Sequence, residues 1–203
     1  NGVYKIDRNW MLDAGLNPDT IDPRQIRIYG NGGAMLPMDN DVERPLGLRA
    51  AAIQFEGEND GAWDSDDAVY FWGQGPHSWK THPDPSAWSH DRNTYSDSAW
   101  YFLQIDAAPG DSTARIQPSI SIPLAADTLV DAYWNRAFHE LELESPNRSG
   151  REWFGESFGS VNSRLFSFPM PYALMGDAQV DFRVAARSQG SSSSFAIQVG
   201  DST

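Results

Sequence analysis

Short runs of alternating apolar and polar residues, each cut off within a few positions by glycine, proline or a polar cluster, recur along the whole sequence. A period of two places alternate side chains on one face of an extended strand, so such a chain is built for short β-ladders. Strands are expected at Gly2 to Ile6, Gln25 to Tyr29, Ala51 to Phe55, Ala68 to Trp72, Tyr101 to Ile105 and Ser119 to Pro123. Phe138 to Leu143, Leu165 to Phe168, Gln179 to Ala186 and Phe195 to Val199 continue the series. The Ser/Gly-rich stretch Arg187 to Ser194 joins the last two as a hairpin. Helical spacing is confined to Arg8 to Gly15, stopped by Asn17 and Pro18, with one more turn expected at Ala132 to Ala137. The expected fold is mainly β. A small β-rich module with one short helix spans residues 1–106, and an antiparallel, jelly-roll-like β-sandwich spans 107–203. Pro109, Gly110 and Asp111 punctuate the boundary.

Composition narrows the function. The 203 residues carry 28 acids against 15 lysines and arginines, a net charge of -13 that repels nucleic acid and anionic membranes. No apolar run approaches the ~20 residues that span a bilayer. No signal peptide opens the sequence, and the last strand pattern runs almost to Thr203, as expected of a piece cut at a domain edge. There is no cysteine, so disulfides, thiolate metal sites and a cysteine nucleophile are absent from these residues.

Four places could carry function. Glu56, Glu58, Asp60, Asp64 and Asp67 fall at positions 1, 3, 5, 9 and 12 of a calcium-type loop, with Gly61 at position 6 where such loops turn sharply. The same stretch also reads as an acidic hairpin connection with Asp60 and Gly61 at its turn. Gly30, Asn31, Gly32 and Gly33 follow a strand but lack the lysine of a phosphate loop, so a tight turn needing positive φ is expected. His77, His82 and His90 lie in a stretch broken by Pro83 and Pro85 and are expected on surface loops, without metal-site spacing. The fourth place is aromatic. Trp72 and Trp100 sit in strand patterns and are expected in the core, whereas Trp79 and Trp88 are candidate binding surfaces. Arg151, Trp153 and Glu156 add a docking candidate, with an arginine paired to a glutamate over a ring. His139 and Glu140 are neighbours in a strand pattern and should face opposite ways.

Taken in order, these segments resemble a known family. The stretches are Gly2 to Ile6, Ile26 to Pro37, the acidic loop through Asp67, Val69 to Pro76 with Trp79, Tyr95 with Ser96, Tyr101 to Leu103, Glu140, Ser149 to Phe158 and Ala185 to Ser188. Most specific are the runs Tyr29-Gly30-Asn31-Gly32-Gly33 and Ser149-Gly150-Arg151-Glu152-Trp153-Phe154-Gly155-Glu156. Together they resemble the amino-terminal region of the type IX secretion sortases, which are gingipain-type cysteine peptidases. The resemblance implies an exported protein at the outer face of the outer membrane, whose catalytic Cys and His lie in a following domain. It implies a non-catalytic β fragment whose partners are that peptidase domain and secretion or outer-membrane components. A sugar-binding sandwich using exposed tryptophans is the alternative. A carboxylate hydrolase using Glu140 and Glu156 ranks third, because no paired geometry can be read from spacing.

Overall fold

The first alternating run forms β1 (Gly2–Asp7), paired antiparallel with β4 (Ala68–Gly73), which also pairs with β3 (Ile53–Glu56). The register aligns Ile6 with Val69 and Phe55, and Tyr4 with Phe71 and Ile53. One face of this sheet therefore buries Ile6, Val69, Phe71 and Ile53. In this computed structural model residues 1–82, 88–108, 115–117, 131–190 and 192–200 are described. The chain divides into two units, Asn1–Asp127 and Thr128–Thr203. The strand expected at Ser119 to Pro123 and residues 109–112 of the expected boundary lie outside the described residues.

Between β1 and β3 the chain makes α1 (Arg8–Asp13), whose first turn is capped by the Asp7 carboxylate accepting from the Trp10 N–H at 3.0 Å. The bond from the Trp10 N–H holds the Asp7 carboxyl below its ordinary range. Met11 is the residue this short helix buries, and Gly15 at φ 79° lets the chain turn away. Two 3-10 turns follow, Pro18–Thr20 and Pro23–Gln25, capped by the Asn17 and Asp22 side chains. They deliver Ile26 and Ile28 into the core, with Ile28 on β2 (Arg27–Tyr29). β2 pairs with β7 (Phe102–Gln104).

Two expectations are corrected here. His77 and His90 are not on loops: His77–Thr81 and Trp88–Arg92 form an antiparallel hairpin, β5 and β6, in which Trp79 faces His90, whereas His82 lies outside both strands and is exposed, as expected. Pro83 and Pro85, which suggested a broken loop, lie outside the described residues. The tryptophans also change places. Trp72 is 59% exposed and Trp100 72% exposed, whereas Trp63, in the acidic connection, is 2% exposed and meets Phe55 edge-on at 5.1 Å. Along β4 neighbouring side chains face opposite ways, and the buried face is the one that carries Phe71, which leaves Trp72 in water.

The chain is mainly β, with small antiparallel sheets, and α1 is the α-helix among the described residues. The expected sandwich does not form among the described residues of the second unit. Its backbone pairing there is a single antiparallel bridge, Glu144 to Phe154, with Leu143 and Glu144 N–H both donating to the Phe154 carbonyl. Val180, Phe182, Val184 and Phe195 alternate as expected yet stay exposed, and Ala132 to Ala137 is not helical. A ladder is held by burial of the face it presents, and here those faces are open to water.

Candidate functional site

The acidic stretch 56–67 is the connection between β3 and β4. Glu58–Asp60 form a 3-10 turn flanked by Gly57 at φ 95° and Gly61 at φ 78°. Three of the five candidate ligands are employed separately. Asp60 accepts from the Ala62 N–H at 3.0 Å, Asp67 accepts from the Asp64 N–H at 2.9 Å, and Glu58 pairs with Arg115. Glu56, Glu58, Asp60, Asp64 and Asp67 are not brought together. Among the described residues no group of three His, Cys, Asp or Glu side chains is placed to hold a metal ion. Asp67 is buried against Gly57, so the side chain counted as the twelfth calcium position serves as an internal latch.

The glycine run marks a close approach of two segments. Gly32 has φ 72° and lies against Gln74, while a side chain at Gly33 would meet the Pro76 backbone at 2.6 Å. The Gly30 Cα lies over the Tyr101 ring, leaving 2.5 Å for any Cβ. Tyr101 then stitches the junction: its hydroxyl accepts from the Gln74 N–H at 2.7 Å and donates to the Gln74 carbonyl at 3.2 Å. Its ring also rests 5.2 Å from Phe71. Nothing in this geometry cradles a phosphate; the glycines serve packing.

On the β5–β6 hairpin, Trp79 and Trp88 are both half-buried, and Trp79 meets the His90 ring edge-on at 5.1 Å. His77 lies 6.3 Å from His90 and points Nε2 to Asp97 at 3.7 Å, a carboxylate that Arg92 also approaches at 3.4 Å. The hairpin thus presents one aromatic cluster bordered by paired charges.

In the second unit the expected arginine over a ring exists, with a different arginine. Arg183 lies 5.4 Å from the Phe154 ring centroid and donates to Glu152 at 2.7 Å, whereas Arg151 is exposed. Trp153 is half-buried, its indole N–H donating to the Gly150 carbonyl at 3.3 Å. Glu156 accepts from His139 at 2.6 Å, and the His139 ring packs 4.9 Å from Phe166. Burial pushes the Glu156 carboxyl up, but the hydrogen bond from His139, the Glu156 N–H and the His139 and Arg164 charges outweigh it, so its pKa is lowered. A carboxylate lowered in the folded state adds stability that is complete above its unfolded value and lost as pH falls through the folded one. Acid titration followed by tryptophan fluorescence should therefore show a transition on the acidic side of the glutamate range. Glu156→Gln should flatten it, and an unchanged acid limb would show that the pair holds nothing.

Arg115 is the residue that sequence reasoning missed. Its guanidinium donates to Glu58 through Nε and an outer nitrogen (2.7–3.2 Å), and to the carbonyls of Ile26 at 3.0 Å and Pro23 at 3.2 Å. Beside it, Ile53 and Arg115 form a parallel bridge and the Ile116 N–H donates to the Ile53 carbonyl at 2.7 Å. Its partners lie 57 to 92 residues away, beyond any local pattern.

Against known proteins, no family model matches the sequence and no curated protein matches it. A solved structure does: the crystal structure of dimeric latent PorU from Porphyromonas gingivalis, 32% identical over 80% of this chain with a TM-score of 0.57. The chain spans 14% of the length of that protein. The match joins sequence and backbone, in agreement with the resemblance carried by the glycine run and the Ser149 to Glu156 run. Over four-fifths of its length, this chain is a PorU-like region.

Proposed function

We propose that the chain is a non-catalytic, amino-terminal β module of a type IX secretion sortase-like polypeptide, docked against the gingipain-type peptidase domain that follows it. The observation that carries this reading is the asymmetry of the match: 80% of this chain aligns with 14% of PorU, in a chain without a single cysteine. A cysteine peptidase needs a thiolate nucleophile, so the chemistry must reside in other residues of such a protein. What these residues can supply is surface and rigidity. Trp79 and Trp88 on one hairpin, and Arg151, Trp153 and Glu156 in the second unit, are the proposed docking side chains. The place of action is the outer face of the outer membrane, with other secretion components as further partners.

The test compares the full-length protein with a version lacking this region, alongside the isolated chain. The isolated chain should cleave no peptide substrate, and the truncated protein should lose cargo processing. Turnover by the isolated chain, or undiminished processing without it, would overturn the reading.

A further inference from the structure

The segment between Asn31 and Arg49 is a braced loop. One side chain closes its neck: Asn31 Nδ2 donates to the Gly47 carbonyl at 2.9 Å and its Oδ1 accepts from the Arg49 N–H at 3.0 Å. Next to it the Gly30 N–H donates to the Arg49 carbonyl at 2.9 Å. Inside the loop Arg44 turns back on the backbone, donating to the carbonyls of Pro37 at 2.9 Å and Asp39 at 3.2 Å and to Asn40 Oδ1 at 3.3 Å. Asn93 holds the loop's first limb to the body of the unit through the Gly33 carbonyl at 2.7 Å.

What this scaffold holds out is apolar. Leu36, Met38, Val42, Leu46 and Leu48 are all exposed, Leu46 completely. Exposed Asp39, Asp41 and Glu43 are interleaved with them, while the arginine of the tip is spent on the loop's own carbonyls. A connection with no further task gains nothing by fixing five apolar side chains in water, and apolar side chains held out on a braced scaffold suit a binding surface. Bracing lowers the ordering cost of binding. The carboxylates select the partner. A second copy of this chain carries the same net charge of -13, and an anionic bilayer repels acidic side chains, so neither suits the tip.

We propose that the 31–49 loop is a plug, and that its receptor is an apolar pocket rimmed by arginine or lysine on the peptidase domain of the same polypeptide. The inference rests on the docking reading above and names its contact. The test measures binding of the full 203-residue chain to the separately purified peptidase domain at low and high salt. Leu46→Asp and the double change Asp39→Asn with Asp41→Asn are run in parallel. Leu46→Asp should weaken binding by about 30-fold or more, the loss typical of a central apolar anchor. The double change should slow association and reduce its salt dependence. Both variants should melt like wild type, since none of the three side chains is buried. Failure of the wild-type chain to bind would remove the docking reading and the plug together. Wild-type binding that Leu46→Asp leaves intact would remove the plug alone. Binding to phosphatidylcholine–phosphatidylglycerol vesicles, or self-association, abolished by Leu46→Asp would overturn the proposed receptor in favour of a bilayer or a second copy.

Discussion

Gly57→Ala is expected to destabilise the first unit by about 3 kcal/mol and to lower its melting temperature by about 10 °C. Two effects combine. Gly57 has φ 95° and ψ 0°, a conformation in which an L side chain costs about 1–2 kcal/mol. The space a methyl group would fill is already taken by the Asp67 carboxylate, whose Oδ1 it would overlap outright. To admit it, Asp67 must swing out of a buried position and release the Asp64 N–H it accepts from at 2.9 Å, a loss of about 1–3 kcal/mol. The overlap can be tested by a cycle with Asp67→Gly. If the two residues compete for one volume, the double variant should be clearly less destabilised than the sum of the single ones. A Gly57→Ala protein melting within a degree or two of wild type would show that the connection is loose.

The second large effect is expected at Arg115. Its side chain is 15% exposed, and it serves one carboxylate and two carbonyls of the Pro23–Ile26 segment at once. Arg115→Ala would leave Glu58 without its fork and take from the Ile26 carbonyl one of its two donors, the other being Arg27 Nη1 at 2.7 Å. Removing one member of a fully buried pair costs ~3–5 kcal/mol. Glu58 keeps 26% of its side-chain surface in water, so about 2–3 kcal/mol is expected here. Arg115→Lys should recover only part of this, because an ammonium cannot donate as a planar fork to Glu58 and the Ile26 carbonyl together. Urea titrations of the three proteins check the order. Equal midpoints for the alanine variant and wild type would mean that the fork is ornamental and that the Ile116 to Ile53 backbone bond alone holds this segment.

How far these features could be read in advance depended on distance along the chain. β1, β3, β4 and α1 were legible because each is a local pattern, and the acidic connection was correctly read in one of its two senses, as the link of a hairpin. The β5–β6 hairpin was hidden by Pro83 and Pro85, because prolines at that spacing read as a broken loop. Trp72, expected in the core, is exposed because alternation separates two faces without saying which faces the core. Arg151 was singled out where Arg183 does the pairing, since the sequence shows that an arginine and a ring are available but not which arginine crosses 31 residues to reach Glu152. The described residues of the second unit carry strand-like alternation without a ladder, because a ladder needs a partner face and periodicity supplies only one side.

By itself, then, the sequence determined a β-rich chain of short strands, one helix at its start, turns where glycine must take positive φ, and the absence of thiolate chemistry. Those properties follow from steric limits on single residues and from side-chain period, which act over a few positions. Only the tertiary structure decided that Asp67 latches the connection at Gly57, that Tyr101 stitches Gly30 to Gln74, that Arg115 fastens three segments, and that Asn31 closes a loop on which Leu46 stands exposed. Each of these joins groups many residues apart. A hydrogen bond or a packed contact depends on where two segments meet in space, and no local pattern carries that information.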